Sequence, residues 1–332
     1  MPHRLTDALG AALADSDTAA LRRATARLVE VYRSGAPPSS QVLADPVAAA
    51  AYAAYRMPAT HAALARALGE ADALGALAGI RSLVDVGGGT GAALWAVAEA
   101  VPGLERATVL DGSADALALG RRLAGYGPPV VAAAGWAPVE LATRPTLPAA
   151  DLAVVSYVLG ELAEDRRADL VDAAIDAAGL VLVVEPGTPR GFAAVLAARD
   201  RLVAAGWHLV APCPHPGPCP VAARAGDWCH FTARLDRSAL HRRLKGGALG
   251  HEDEKFSYVL ASREPLPHSE ARVLRHPASR KGMVTLELCR SDGTAGPQIV
   301  TKRDRESYRR ARDAAWGDAW GEPRGPEAAH PR

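Results

Sequence analysis

The stretch Leu83-Val84-Asp85-Val86-Gly87-Gly88-Gly89-Thr90-Gly91 constrains this chain more than any other. An apolar run ends on an acid and passes into glycines, after which Ala92 to Ala98 reads as a helix former. The pattern predicts a buried strand, a tight turn and a helix start. Glycine permits positive φ and lets a ligand lie against the main chain. The helix N-terminus behind the turn offers free N–H groups and the positive end of a dipole. A polar or anionic ligand is therefore expected across the turn.

The spacing Gly87-x-Gly89-x-Gly91 is one residue shorter than the dinucleotide fingerprint. With Asp85 two residues ahead, it resembles the first motif of the class I S-adenosylmethionine-dependent methyltransferases. That resemblance implies a loop holding the methionine part of the cofactor and a second acid, at the end of the next strand, on the ribose hydroxyls. Asp111 closes Thr108-Val109-Leu110-Asp111 and takes that place. Further apolar runs fall near Pro129–Ala133, Asp151–Ser156, Leu180–Val184, His208–Ala211 and Phe256–Ser262, with helical stretches between the first six runs. This alternation predicts a doubly wound, mainly parallel sheet, with ligands at the carboxyl ends of its strands. The expected fold is α/β: a class I methyltransferase (Rossmann-like) domain with an N-terminal helical region, a cysteine-rich insertion and a small β-containing C-terminal extension. Asp85, Gly87, Gly89, Gly91, Asp111 and Ser156 are the expected cofactor residues. Where many methyltransferases carry an acid for the adenine amine, this chain reads Ala133-Ala134-Gly135-Trp136. Trp136 either stacks on adenine or belongs to the core.

The fourth run leads into Ser156-Tyr157-Val158-Leu159-Gly160-Glu161-Leu162. The Asn/Asp-Pro-Pro-aromatic motif that holds a flipped base in amino-directed enzymes is absent here. No cysteine nucleophile lies nearby either. Methyl transfer from an activated sulfonium asks mainly for positioning. Tyr157 and Glu161 are weak candidates, and the sequence names no catalytic base.

Residues 1–80 read as helical. Thr18 is the expected cap of a helix with Leu21, Thr25, Leu28 and Tyr32 on one stripe; Ser34 to Ser40 breaks it, and Asp45-Pro46 opens the next helix. The N-terminus lacks the apolar core of a secretory signal, and no charge-free run is long enough to span a membrane, so the chain reads as cytoplasmic. The net charge of +1 is uneven: Thr232 to Arg312 holds 18 Lys and Arg against 10 Asp and Glu. A basic C-terminal third fits either an RNA surface or a solvated charged face. It includes Lys302-Arg303-Asp304-Arg305 and Tyr308-Arg309-Arg310-Ala311-Arg312, and follows an expected strand pair, Met283 to Cys289 with Gln298 to Thr301.

The chain has four cysteines, three of them in Cys213-Pro-His-Pro-Gly-Pro-Cys219-Pro and Asp227-Trp228-Cys229-His230-Phe231. Cytoplasmic thiols stay reduced. Thiolates on a proline-rich loop, with Cys289 farther on, suit tetrahedral zinc or an iron–sulfur cluster. Paired C-x-x-C knuckles are missing, and the irregular spacing is closer to cluster ligation. His215 and His230 keep a mixed Cys/His zinc site open.

Taken with the glycine loop, this cysteine segment resembles the small-ribosomal-subunit-associated methyltransferase-like family. Ala51-Tyr52-Ala53-Ala54-Tyr55-Arg56-Met57-Pro58, Val155 to Leu162, Glu185-Pro186-Gly187, Lys255-Phe256-Ser257-Tyr258 and Trp316-Gly317-Asp318 carry the resemblance across nearly the whole chain. It implies S-adenosylmethionine as cofactor, association with small-subunit ribosomal RNA, and a 4Fe-4S cluster on Cys213, Cys219, Cys229 and Cys289, with zinc as the alternative metal. The expected organisation is a helical region over 1–80 and a methyltransferase domain over 81–262 with a metal-binding insertion at 212–255. A basic extension over 263–320 and a disordered tail over 321–332 complete it, in a monomer without membrane contact. Two functions remain open: methylation of small-subunit ribosomal RNA, or non-catalytic assembly of the subunit on the same fold.

Overall fold

A computed structural model describes residues 5–34, 45–245 and 250–325. Four helices come first: α1 (Leu5–Ala12), α2 (Thr18–Ser34), α3 (Pro46–Tyr55) and α4 (Met57–Ala73). The α/β body runs β1 (Ser82–Val86), α5 (Ala92–Ala100), β2 (Arg106–Asp111), α6 (Ala114–Ala124), α7 (Pro129–Ala132), β3 (Gly135–Pro138), β4 (Ala150–Ser156), α8 (Glu164–Ala177), β5 (Ala178–Pro186), α9 (Pro189–Ala204) and β6 (His208–Ala211). It continues through β7 (Phe231–Asp236), α10 (Ala239–Lys245) and β8 (His251–Ser262). The C-terminal part holds β9 (Ala271–Val273), β10 (Ala278–Arg280), β11 (Met283–Arg290), β12 (Ala295–Thr301), α11 (Arg305–Asp313) and β13 (Ala319–Trp320).

The main sheet has the order β3-β2-β1-β4-β5-β8-β6, with β7 paired to the outer half of β8. The first five strands are parallel, and β8 runs antiparallel between β5 and β6. Side-chain alternation divides the core. Leu83, Val109, Leu152, Val154, Leu180 and Leu182 face the layer built by α1 to α6. Val84, Val86, Leu110, Val155, Val181 and Val183 face α8 and α9. Both faces of the central strands are covered, which is why these runs are continuously apolar. Each such side chain contributes about 1.5–3 kcal/mol by leaving water.

Local chemistry sets several boundaries. Asp45 caps α3, its carboxylate accepting from the Ala48 amide at 2.8 Å, with Pro46 at the first helical position. The cap of α2 is Asp17 rather than Thr18: Asp17 Oδ1 accepts from the Ala19 amide at 2.8 Å. The expected break at Ser34 to Ser40 lies almost wholly outside the described residues, as do the first four residues and most of the expected tail. The third strand is Gly135–Pro138, not Pro129–Ala133. Pro129 lacks an N–H to pair in a ladder, and its fixed φ starts the short α7 instead. No helix separates β3 from β4. Strand β7, the extension of β8 from Phe256 back to His251, and the strands β9, β10 and β13 had no clear signal in the sequence.

The small C-terminal sheet has the order β10-β11-β9-β13, with β12 along β11. Val284, Leu286 and Leu288 point into its own core with Ala271, Val273 and Val300, under Ala311 of α11. The opposite face of β9 and β11 turns toward the body. There Arg272 and Cys289 are direct cross-strand partners. Arg272 is 1% exposed. Its guanidinium is paired with Glu70 of α4 and donates to the carbonyls of Pro212 at 3.1 Å and Gly317 at 2.9 Å. Arg66 joins Glu70, at 2.5 Å, to Asp318, at 2.6 Å. Glu70→Gln would leave the Arg272 charge buried with neutral partners alone. It should cost roughly 3–5 kcal/mol of stability in urea unfolding, whereas Val47→Thr on the surface should change it by less than about 0.5 kcal/mol.

Candidate functional site

The glycine turn joins β1 to α5. Gly91, the residue before α5, has φ +88°, and a Cβ there would stand 2.7 Å from the Trp136 ring. Gly88 is fixed by close approach: a Cβ would collide with the Asp85 carboxylate. Asp111, at the end of β2, accepts from the Gly89 amide at 2.8 Å and the Ser113 amide at 2.7 Å. The acid thus pins the turn to the start of α6. Trp136 is wedged against Gly91 and Gly120, and Arg121 donates to its carbonyl at 3.1 Å. It acts as a packing spacer beside the turn.

A cavity of about 690 Å³ opens on this turn, within the range of small-molecule sites. Gly87, Gly89, Asp111, Tyr52, Tyr157 and Glu161 are among its lining residues. Asp85, Gly91 and Ser156 are not: Asp85 and Ser156 are buried at the ends of β1 and β4. The cavity is acidic. Burial, then the Asp111 carboxylate, pushes Asp85 up to about 7. Glu185, held by the Leu159 and Gly160 amides at 2.7 and 3.3 Å, is pushed to about 7 by burial. Glu161 stands on the open side, where desolvation in the cleft and the Asp111 and Glu185 carboxylates raise it to about 8.

One constellation was not legible as chemistry in the sequence. Tyr157 adopts φ +59°, a left-handed conformation that costs a non-glycine residue energy and persists where surroundings enforce it. Its hydroxyl donates to Glu254 at 3.0 Å. Arg56 donates to both oxygens of Glu254, at 2.9 and 3.3 Å, and lies over the Tyr157 ring. Two of the stretches that carried the family resemblance therefore meet here, joined by the residue just before a third.

The second site is built by the loop between β6 and β7 together with β11. Cys213, Cys219, Cys229 and Cys289 line one cavity, with His215, Arg199, Arg272 and Tyr258. Arg224 fastens the loop to the C-terminal sheet through Glu287 at 2.9 Å and the Ala295 carbonyl at 2.9 Å. Ser257 holds the Cys229 carbonyl at 2.7 Å. His215 Nε2 is 3.6 Å from Cys289 Sγ, and its buried Nδ1 has no partner. His230 instead stacks on Trp228 and does not line the cavity. Burial, then the neighbouring thiols, pushes Cys289 up to about 12 and Cys229 well above the ordinary thiol value. Buried thiols that face one another resist ionisation unless a cation joins them. In that respect the donor set suits a soft metal group. As placed, no three or more His, Cys, Asp or Glu side chains among the described residues form a group that could hold a metal ion.

The strand order and the glycine turn closed by Asp111 define a class I methyltransferase-like protein. The family described as mitochondrial small ribosomal subunit Rsm22 matches residues 46–321, and the chain belongs to it. The human ribosome assembly protein METTL17, mitochondrial, is 30% identical over 294 residues, 80% of this chain and 61% of that protein. The Rsm22-cox11 tandem protein 2, mitochondrial, of Schizosaccharomyces pombe is 28% identical over 181 residues, 42% of this chain and 24% of that protein. The chain thus spans about a quarter to three fifths of the length of these relatives. Among solved structures, the magnesium protoporphyrin IX methyltransferase ChlM of Synechocystis PCC 6803 with bound SAM is 14% identical with a TM-score of 0.38, over 62% of this chain and 80% of that one. The mitomycin 7-O-methyltransferase MmcR is 18% identical with a TM-score of 0.39, over 70% and 67%. Likeness at that level bears on no residue or reaction here.

The raised pKa of Asp85 has a sign that can be checked. Between its ordinary value of 3.8 and about 7, the folded state keeps a proton that the unfolded chain gives up. The stability it brings is full below about pH 4 and is lost as pH rises through about 7. Asp85→Asn should flatten that fall in the ligand-free protein. The difference from wild type across the window should be on the order of 2–4 kcal/mol, read from urea unfolding at a series of pH values.

Proposed function

We propose that this chain binds S-adenosylmethionine in the cleft above β1, β2 and β4, and acts as a methyltransferase-like factor on small-subunit ribosomal RNA. The observation that carries the reading is the cavity on the glycine turn, with Asp111 lining it and tied to the Gly89 amide. An acidic cleft also suits the sulfonium and ammonium charges of this cofactor. Asp85, Gly91 and Ser156 support the site from behind rather than by contact. Membership of a family described by the small ribosomal subunit, and a relative named as a ribosome assembly protein, support the RNA partner. The exposed Arg305, Arg309 and Arg312 of α11 and the nearby Lys302 and Arg303 are the proposed phosphate contacts. The working form proposed is a cytoplasmic monomer with the four-part organisation given above; among the described residues no helix is long and apolar enough to cross a membrane.

A specific observation favours the non-catalytic alternative. Tyr157, which faces the cavity from the end of β4, has its hydroxyl engaged by Glu254, and burial raises its pKa further, so it is a poor base. Asp111→Ala should weaken S-adenosylmethionine binding by about 1–3 kcal/mol in calorimetry, from lost charge-assisted hydrogen bonds. Unchanged affinity would remove Asp111 from the site. Labelled methyl groups appearing in RNA of immature small subunits would make the protein an enzyme; stable binding without label would make it an assembly factor.

Cys213, Cys219, Cys229 and Cys289 are proposed to hold a 4Fe-4S cluster. Their convergence from a loop and a distant strand on one cavity supports this, and the thiol donors would equally accept zinc. Such a group would tie the C-terminal sheet to the body, adding its binding energy to folding. Protein purified without oxygen should be brown, with iron and sulfide in stoichiometric amounts, and Cys229→Ser should bleach it and lower its melting temperature. Colourless protein with full zinc after iron-supplemented anaerobic expression would replace the cluster with a structural zinc site.

A further inference from the structure

Two guanidiniums reach the cavity lined by the four cysteines, and they are compensated differently. Arg272 has a buried carboxylate partner in Glu70. Arg199 of α9 is as deeply buried, at 3% exposure, but its carboxylate partner Asp200, at 2.5 Å, is 60% exposed. An exposed counter-ion is screened by water and offsets little of a buried charge. The rest of the Arg199 side chain is turned inward. One terminal nitrogen donates to two carbonyls of the cysteine loop, His215 at 2.9 Å and Gly217 at 2.6 Å. Both lie between Cys213 and Cys219. The Nε–H is buried with no hydrogen-bond partner. The guanidinium lies against the Cys213 thiol on the wall of the same cavity.

We propose that Arg199 is a positioning residue for the thiolate-held metal group, gripping the backbone between the first two cysteines and setting a positive charge against the ligand sulfurs. The proposal rests on the reading that the four thiols hold such a group. Four thiolates around a zinc ion or a 4Fe-4S cluster in its +2 state carry two net negative charges. Burying that charge is costly unless a cation accompanies it. Arg199 suits the task better than lysine, since its donors are spread over three nitrogens in a fixed plane: one holds both carbonyls, and the others remain for neighbouring groups.

The test uses the full chain, purified and reconstituted without oxygen, as wild type, Arg199→Gln and Arg199→Lys. Iron, sulfide and zinc contents are measured first. The reduction potential is then followed by electron paramagnetic resonance, and release of metal to a chelator by absorbance. Arg199→Gln should lose its metal about tenfold faster, the equivalent of one charge-assisted hydrogen bond. Its cluster should also be reduced at a lower potential, because an electron enters a less compensated negative site. Arg199→Lys should keep a potential near wild type yet release metal fast, having the charge without the grip. If Arg199→Gln does not fold or load, a loaded Arg199→Lys with that pattern supports the proposal by itself. If the group is zinc, the release rates alone decide. Release rates and potentials equal to wild type in both variants overturn the proposal. A wild-type chain that takes up neither iron–sulfur nor zinc overturns the metal reading as well, and the empty control distinguishes that failure from the other.

Discussion

The buried ion pair between Arg272 and Glu70 is the interaction on which the arrangement of this molecule depends. It links the C-terminal sheet to a helix of the N-terminal layer, and the same guanidinium holds the carbonyl just before Cys213. An isolated charge in that position would cost far more than any hydrophobic contact nearby could return. The pair therefore fixes geometry more than it adds stability. If α4, the end of β6 and β9 did not come together, the Arg272 guanidinium would lose its carboxylate partner and the Pro212 carbonyl its donor. Cys289, across from Arg272 on the neighbouring strand, is carried to the cysteine loop by the same register.

The cleft on the glycine turn follows the opposite logic. In and just behind its walls stand carboxylates that burial, joined at Asp85 and Glu161 by repulsion from neighbouring carboxylates, keeps partly protonated when no ligand is present. The arrangement destabilises the ligand-free protein near neutral pH and suits a cationic ligand that would relieve the repulsion. Tyr157 adds backbone strain at the same place, held by Glu254 and Arg56. Poor local stability concentrated at one cleft, inside an otherwise well-packed α/β body, is the pattern of a binding site rather than of a core.

The two sites share a wall of structure. Glu254 lies on β8 and Ser257, which holds the Cys229 carbonyl, is three residues farther along the same strand. The strand that latches Tyr157 beside the glycine-turn cleft thus also braces the cysteine loop.

By itself, the sequence determined the α/β alternation, the glycine turn with Asp85 and Asp111, and the grouping of thiols on a proline-rich loop. Each of these is written in local chemistry: periodicity, positive-φ glycine, and side chains that make a poor core. The hairpin of β11 and β12 was legible for the same reason. Only the tertiary structure decided what lies far apart in sequence and has no local signature. The third strand moved because Pro129 starts a helix, and β9 and β13 are too short to announce themselves. Trp136 could be assigned to packing only once Gly91 and Gly120 were seen against its ring. Arg56, Tyr157 and Glu254, or Arg199, Arg272 and the four cysteines, meet through folding alone. A charged residue reads as surface in sequence, and becomes a buried partner only when the chain brings its counterpart from elsewhere.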